Sequence, residues 1–350
     1  MTEAGRRQAR RIDLKSGKVE MNHGAGGRAM TDLVDLLFKP ALDNPLLAQG
    51  NDQALFELPP GRVAMSTDSF VITPLFFPGG DIGSLAIHGT VNDLAMGGAT
   101  PIYLSAGFIL EEGLPLADLH RIVQSMAEAA RDAGVQIVTG DTKVVERGSG
   151  DGVFINTCGV GVVPPEVDLG VHRVQPGDVV LVSGTLGDHG VTIMSQREGL
   201  SFDTSLETDS AALNGLVADM VAAAPGALHL MRDPTRGGVA ATLNEIAHQT
   251  GHGIVLEENS LPVSEEVRGA CELLGLDPLT VANEGKLLAI VAPDEADIVL
   301  QAMRAHPRGA QAARIGSIQE DDLMLVRMQT AIGGERVVDW LYGEQLPRIC

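Results

Sequence analysis

The stretch that decides the fold runs from residue 67 to residue 101 and reads TDSFVITPLFFPGGDIGSLAIHGTVNDLAMGGATP. It begins inside an extended run at residues 63–72, whose β-branched and aromatic residues predict a strand. Residues 82–96 are apolar and long enough for a helix, and Gly97 and Gly98 directly after them predict where that helix ends. The stretch therefore predicts a strand followed by a buried helix.

Further elements follow this stretch in alternation. The pattern predicts strands at 101–110, 136–139 and 153–163, and an amphipathic helix with apolar residues at helical spacing over 119–130. The paired prolines within 164–168 interrupt both helix and sheet, so this segment is the best candidate for a linker.

A second unit follows the linker. Its predicted helices lie at 189–197, 211–223, 237–248, 264–274 and 294–305, and its predicted strands at 179–183, 253–256 and 287–291. Interleaved strands and helices indicate an α/β or α+β class, and a length of 350 residues favours two domains. The expected organisation is a disordered arm at 1–18, domains at 19–165 and 170–329, and a flexible tail at 330–350.

Charge and cysteine content exclude several classes of protein. A net charge of −21 argues against binding to nucleic acid or to an anionic membrane. No apolar run approaches the roughly 20 residues that span a bilayer, and the basic N-terminus lacks the apolar stretch of a secretory signal. Cys158, Cys271 and Cys350 are few and far apart, which argues against a disulfide framework or a structural zinc site and fits a reducing cytoplasm.

Acidic residues at predicted turns or element ends form the strongest chemical signal. Carboxylates beside Gly, Asn and Thr are oxygen ligands for a hard cation, and magnesium typically uses one or two of them together with substrate phosphates. Any single one is more often a helix cap or a turn former, so the interpretation depends on the set. The set consists of Asp52, Asp68, Asp93, Asp141 and Asp233.

Two glycine-rich segments are candidates for binding phosphate. Residues 23–29 fit a loose dinucleotide pattern, but a clear preceding strand is missing, so an anion nest is the better interpretation. Residues 234–238 lead into a predicted helix, whose N-terminus favours an anion. No P-loop pattern is present. His88, on the apolar helix, is expected to be a core residue with its hydrogen bonds satisfied.

The last residue, Cys350, carries a thiol beside a free carboxylate at a chain terminus. A terminal thiol has little structural use, so it is a candidate carrier group, although an incidental cysteine remains possible on this feature alone. The neighbouring carboxylate should raise the pKa of the thiol. Prenylation is excluded because that signal needs three residues after the cysteine.

Together these segments resemble the HypE family of hydrogenase maturation factors, which belongs to an ATP-binding superfamily with aminoimidazole ribonucleotide synthetase, selenophosphate synthetase and thiamine monophosphate kinase. The resemblance extends from about Val19 to Cys350, and the terminal cysteine is the feature that distinguishes this family from its sister enzymes. It is carried by GAGGRAM (24–30), the 67–101 stretch, VTGDTKVVERG (138–148), RDPTRGGVA (232–240), ANEGKL (282–287) and PRIC (347–350).

The resemblance implies a two-domain aminoimidazole ribonucleotide synthetase-like fold with a mobile tail, and a homodimer formed through a β-barrel-like interface of the first domains. It implies that a carbamoyltransferase, HypF, loads a carbamoyl group onto Cys350. ATP-dependent dehydration then converts this group to a thiocyanate. The cyanide passes to iron on a HypC–HypD complex and becomes a ligand of nickel–iron hydrogenase.

The resemblance also implies roles for particular residues. Asp52, Asp68, Asp93 and Asp141 would hold Mg²⁺ and the phosphates of ATP, with Asp233 a weaker candidate. Glu284 and Lys143 are the candidate catalytic bases. Lys143 would need a lowered pKa for that role, and a phosphate-binding role is an equal alternative for it.

Two other functions remain open at this point. One is a sister ATP-dependent synthetase or kinase acting on a small molecule, although the reactive cysteine or selenocysteine of selenophosphate synthetase lies near the N-terminus and no cysteine precedes Cys158 here. The other is a thiol carrier without enzymatic activity.

Overall fold

Two β-sheets organise the chain, one in each half. This computed structural model describes residues 12–199, 206–340 and 348–350. The described elements of the first half are α1 (Arg28–Leu33), α2 (Lys39–Leu42), β1 (Arg62–Phe70), β2 (Phe76–Phe77), β3 (Gly80–Asp81), α3 (Ile82–Met96), β4 (Thr100–Glu111), α4 (Leu116–Ala133), β5 (Gln136–Val145) and β6 (Val153–Val163).

The first sheet has the strand order β1-β6-β4-β5, so β1 and β5 form its two edges. The pairs β1–β6 and β6–β4 are antiparallel, and β4–β5 is parallel. Helices α3 and α4 cover one face, and the predicted apolar stripe of α4 is buried against it. The carboxylate of Asp81 caps α3 by accepting hydrogen bonds from the main-chain N–H groups of Gly83 and Ser84.

The opposite face of the first sheet has no helix packed on it among the described residues. Val63, Met65 and Ile109 are 60%, 71% and 43% exposed. Large apolar side chains on an open sheet face form the kind of patch that a second protein surface can cover.

The second half builds a larger sheet with the order β13-β12-β9-β11-β7-β10-β8, in which only the β12–β9 pair is parallel. Helices α6 and α9 share one apolar core with this sheet, and α7 shares another. The described elements of this half are β7 (Val179–Val182), α5 (Asp188–Arg197), α6 (Asn214–Ala223), β8 (Leu228–Arg232), α7 (Gly238–Thr250), β9 (Gly253–Glu257), α8 (Glu265–Leu274), β10 (Leu288–Val291), α9 (Ala296–Ala305), β11 (Ala313–Gln319), β12 (Val326–Gln329) and β13 (Glu335–Val337).

Apart from strands that the sequence does not predict, three differences from the predicted elements bear on the site. Helix α6 begins at Asn214, later than predicted, because the side chain of Asn92 accepts a hydrogen bond from the Leu213 N–H. Strand β5 continues to Val145 and carries Asp141 and Lys143, which were expected on a turn. Part of the expected flexible tail is ordered, since Glu335–Val337 pairs with β12 and Val338 is buried.

Helix α3 joins the two halves. Asn92 donates hydrogen bonds to the carbonyl oxygens of Ala211 and Glu284, at 3.0 and 3.2 Å. One turn earlier, half-buried His88 forms a 2.9 Å hydrogen bond through Nδ1 with the hydroxyl of Ser210. Among the described residues, no helix has both the length and the apolarity needed to cross a membrane.

The position of His88 predicts acid sensitivity. Burial, and then the charge of Arg308, lower the pKa of His88 from 6.5 to about 4. Between these pH values His88 is protonated in the unfolded chain but neutral in the native protein. The free energy of unfolding should therefore fall as the pH decreases from 6.5 towards 4. At about 1.4 kcal/mol per pKa unit, the contribution of His88 is up to about 3 kcal/mol.

We therefore expect H88Q to lose less stability than the wild type between pH 7 and pH 4.5, measured by urea unfolding. Exposed His248, replaced in the same way, provides the control. Equal acid sensitivity in H88Q and the wild type would contradict the role of this ring.

Candidate active site

Three of the predicted acidic residues meet at the cleft between the two halves. Asp68 lies near the end of β1, Asp93 on α3 and Asp233 directly after β8. Gly89 allows α3 to approach β1, because a Cβ at this position would lie 2.8 Å from the ring of Phe70. This close packing places Asp93 beside Asp68.

The charges of these carboxylates influence one another. The Asp93 carboxylate accepts a 2.6 Å hydrogen bond from the hydroxyl of Ser66, but burial still raises its pKa. Burial, followed by the charge of Asp93, raises the pKa of Asp233 to about 7. The guanidinium of Arg236 lies 3.9 Å from the Asp68 carboxylate and partly balances the negative charge.

Glu284 lies at the bottom of this cleft and is 4% exposed. Its main-chain N–H donates a 3.0 Å hydrogen bond to the carboxylate of Asp209, which is also 3.2 Å from the Lys286 ammonium. Gly285 is required here, because a Cβ would lie 1.7 Å from the carbonyl oxygen of Asp209. Burial, and then the charge of Asp233, raise the pKa of Glu284 well above its usual value.

The tip of the C-terminal tail lies in the same cleft, although a mobile tail was expected. Ile349 forms an antiparallel bridge with Ile72 and is 3% exposed. The main-chain oxygen of Cys350 accepts a 3.2 Å hydrogen bond from the N–H of Val71. These contacts place Cys350 beside Glu284.

The thiol of Cys350 lies close enough to Glu284 for the two groups to influence each other's charge. Burial is the main cause of a strongly raised thiol pKa, and the negative charge of Glu284 adds to it. A protonated thiol is a poor nucleophile, so Cys350 is unreactive in this position. One carboxyl oxygen of Glu284 has no hydrogen-bond partner among the described residues, and this leaves it open to accept a proton.

Asp141 and Lys143 do not join this cluster. Both lie on β5, at the opposite edge of the first sheet from Asp68, with β6 and β4 between them. The Lys143 ammonium pairs with the Asp141 carboxylate at 3.0 Å, and both side chains are more than 60% exposed. Asp52 is exposed on the segment before β1 and makes no side-chain hydrogen bond or ion pair within the described part of the chain.

The glycine-rich segment at residues 23–29 lies beside β5. Gly24 packs directly on Val144, where a Cβ would lie 2.5 Å from the main-chain nitrogen. A 3₁₀ turn, Met21–Gly24, leads into this segment and includes its first two residues. A dinucleotide site requires a strand at this position. The second glycine-rich segment, at 234–238, starts α7 beside Asp233, as predicted.

The predicted metal ligands are therefore divided between the two edges of the first sheet. Within residues 12–199, 206–340 and 348–350, no group of three or more His, Cys, Asp or Glu side chains is close enough to hold a metal ion.

Sequence reasoning missed several residues of the cleft. Arg236 lies in a predicted glycine-rich turn that gives it no role, and Asp209, His189 and Arg197 belong to no motif. Isolated residues in unremarkable segments give no signal in one sequence. Their importance depends on how the chain folds around the tail.

Two family models match the chain consecutively. The model for the N-terminal domain of AIR synthase related proteins matches residues 50–163, and the model for the C-terminal domain of these proteins matches residues 175–327. The fold and the interdomain cleft thus define an AIR synthase-related protein.

Relatives narrow this class. Carbamoyl dehydratase HypE of Azotobacter vinelandii is 64% identical over 340 residues, covering 97% of this chain and 99% of the relative. The solved structure of hydrogenase maturation protein HypE in complex with ATP is 51% identical with a TM-score of 0.90, covering 94% of this chain and 99% of its own. The chain belongs to the HypE family of carbamoyl dehydratases. A HypE–HypF complex is also similar, with 48% identity, a TM-score of 0.78 and coverage of 88% of this chain and 99% of its own.

Proposed function

We propose that this protein is an ATP-dependent dehydratase that acts on a carbamoyl group bound to its own Cys350. The product is a thiocyanate, which supplies the cyanide ligand for the iron of nickel–iron hydrogenase. The observation that carries the proposal is the position of the Cys350 thiol against Glu284, inside a cleft of carboxylates. A carrier without enzymatic activity has no need to bury its cargo site beside a carboxyl group of raised pKa.

ATP makes the dehydration possible, because the amide oxygen is a poor leaving group until it is phosphorylated. The carbamoyl oxygen attacks the γ-phosphorus, the bond to ADP breaks, and the nitrogen loses one proton. The carbon–oxygen bond then breaks, phosphate leaves, and the nitrogen loses its second proton to give the nitrile. The balance is S-carbamoyl cysteine and ATP giving S-cyano cysteine, ADP, hydrogen phosphate and one proton.

Glu284 is the proposed base for removing a nitrogen proton. A carboxylate with a raised pKa binds a proton more strongly once it is ionised, and a well-placed base contributes roughly 10²–10⁴ in rate. The charge of Arg236 favours the ionised form of Glu284. The burial of the site also keeps water away from the phosphorylated carbamoyl group.

Magnesium fits the cleft as a companion of ATP. It needs only one or two carboxylates when phosphate oxygens supply other ligands, and the mutual repulsion of Asp93 and Asp233 would be relieved by a cation. Asp68 and Asp93 are the proposed ligands in this copy, with Asp233 beside them. Bound magnesium would neutralise the charge of the phosphates during transfer.

We also propose a homodimer that completes the site. The uncovered sheet face carries Val63, Met65 and Ile109, and the outer edges of β1 and β5 pair with no further strand among the described residues. If two such sheets close into one barrel, β1 of each copy meets β5 of the other. Asp141, Lys143 and the glycine-rich segment at 23–29 of the second copy would then lie beside Asp68 of the first. Asp52 would lie at the same edge, because it precedes β1.

Mixed dimers test this arrangement. We expect D68N and K143M each to be inactive as a pure dimer. In a dimer containing one copy of each, one site carries both changes and the other carries neither. An equal mixture after subunit exchange should therefore recover about one quarter of wild-type dehydration.

The recovered activity is measured as single-turnover loss of water from the carbamoylated protein. Mixing D68N with D68N provides the control, and K39M tests the effect of losing an exposed lysine elsewhere on the chain. If the mixture stays inactive although mixed dimers form, the site does not draw on both copies in this way.

The partners follow from the same chemistry. HypF is the proposed source of the carbamoyl group, supported by the similar HypE–HypF complex. A HypC–HypD complex carrying iron is the proposed acceptor of the cyanide.

The three cysteines are all free, which supports a cytoplasmic location.

A further inference from the structure

Helix α5 holds the main chain of the tail tip with two side chains. His189 contacts the carbonyl oxygen of Ile349 through Nε2 at 2.7 Å. Arg197 donates to the carbonyl oxygen of Arg348 through its terminal nitrogen, and to the carbonyl oxygen of Thr73 through Nε at 2.5 Å. The two carbonyl groups directly before Cys350 are thus both bound by this helix. We call His189 and Arg197 the tail clasp.

His189 is built as a hydrogen-bond donor. It is fully buried, and burial lowers its pKa, so the ring is neutral. A carbonyl oxygen only accepts hydrogen bonds, so Nε2 carries the proton. Nδ1 then accepts from the hydroxyl of Thr208 at 2.7 Å, and the Thr208 oxygen in turn accepts from the N–H of Ser210.

The remaining contacts set the register of the tail. The N–H of Thr73 donates to the carbonyl oxygen of Arg348 at 3.3 Å, and the Arg348 guanidinium is 3.0 Å from the Asp151 carboxylate. Ile349 is buried in the apolar core of the first half, which also includes Ile193 of α5. Cys350, the next residue, is half-buried and packs at the margin of the same core, so the burial of Ile349 fixes where the thiol lies.

We propose that the tail clasp consists of positioning residues that select which residue meets Glu284. The clasp binds main-chain carbonyls, so it fixes the depth of the tail, and Ile349 fixes its register. Only a thiol directly after Ile349 is delivered to the base. This inference rests on the proposed function, because it assigns residues that position the cargo for that reaction.

The clasp has opposite consequences for the two steps at Cys350. Loading by a partner requires the thiol to leave the cleft, and the clasp opposes that departure. Dehydration requires the cargo to stay against Glu284, and the clasp favours it. Weakening the clasp should therefore expose the thiol and slow dehydration while nucleotide binding is kept. General unfolding would expose the thiol too, but it would also abolish nucleotide binding.

The first test measures exposure of the thiol without any partner protein. In H189L and R197M, alkylation of Cys350 by iodoacetamide should be roughly ten-fold faster than in the wild type, because buried hydrogen bonds that hold the tail are lost. H189Q, which keeps a donor near the position of Nε2, should restore most of the protection. The site of reaction is identified by peptide mass, with half-buried Cys158 as an internal reference.

The second test measures dehydration of the preloaded protein in a single turnover with Mg-ATP. H189L and R197M should slow it roughly ten-fold while nucleotide affinity is unchanged. H229Q changes another buried histidine, which pairs with Asp178 at 2.7 Å and does not contact the tail, and should match the wild type in both tests. A glycine inserted between Ile349 and Cys350 should abolish dehydration, because it turns the thiol to the other side.

The outcomes separate the two proposals. If the clasp variants match the wild type in both alkylation and dehydration, the clasp is overturned while the dehydratase stands. If alkylation is faster in these variants but even the wild type never loses water, the clasp stands and the proposed function fails. If the inserted glycine leaves dehydration unchanged, the register argument is overturned.

Discussion

Glutamine in place of Glu284 should leave the carbamoyl group on Cys350 intact for roughly 10²–10⁴ times longer than in the wild type when Mg-ATP is present. Glutamine has the same shape but cannot accept a proton at neutral pH. Burial raises the pKa of Glu284, and one of its carboxyl oxygens has no hydrogen-bond partner among the described residues. The proposed proton acceptor is therefore missing in E284Q.

The measurement is single-turnover loss of water from preloaded protein, followed by intact mass. Loading itself should proceed normally in E284Q, because the transfer onto the thiol takes place on a partner. The control is E111Q, which changes a carboxylate that binds the main-chain N–H groups of Gly148 and Gly152, away from the cleft. Dehydration at the wild-type rate in E284Q would show that another group takes the proton.

Removing the thiol should have the largest effect of all. C350A should accept no carbamoyl group from the loading partner, because the nucleophile is gone. ATP binding should be unchanged, because Asp68, Asp93 and the glycine-rich segments are untouched. Incorporation of label from carbamoyl phosphate measures the first expectation, and titration calorimetry with Mg-ATP measures the second.

The other two cysteines provide matched controls. Cys271 is buried, and burial raises its pKa to about 11, so it is a poor nucleophile. Cys158 is half-buried on β6. C271A and C158A should both load fully. Label on C350A, or its loss in C158A, would place the cargo on a different residue.

The two predictions describe a thiol that works in two places. In the cleft, burial raises the pKa of Cys350, so the thiol is protected there and cannot be loaded efficiently. Once the carbamoyl group is attached, the sulfur can no longer ionise, and the same buried position beside Glu284 becomes suitable for dehydration. The burial that makes Cys350 unreactive therefore favours the order of the two steps.

The longer elements of the first half could be predicted from the sequence because their signals are strong, whereas α1, α2, β2 and β3 were missed. Helix α3 matches its prediction at both ends, where Asp81 caps it and Gly97 ends it. Strand β6 also matches. The strands β8, β11, β12 and β13 were missed because polar residues interrupt their apolar patterns.

The site was predictable only in part. Asp68, Asp93 and Asp233 lie close together, but Asp141 and Lys143 lie at the other edge of the sheet, and their roles in binding stay predictions. Motif spacing cannot reveal strand order, and strand order decides which motifs meet within one chain. Likewise, a terminal Pro-Arg-Ile-Cys suggests a free tail, whereas the bridge between Ile349 and Ile72 depends on a pairing between distant segments.

The central claim is that ATP drives removal of water from a carbamoyl group on Cys350, and time-resolved intact mass tests it most directly. The protein is first carbamoylated, freed of the loading partner and then mixed with Mg-ATP. The account predicts that each chain loses the elements of one water at Cys350 as one ADP and one phosphate appear. An adduct that keeps its mass while ATP is consumed, or that loses water without ATP, would contradict it.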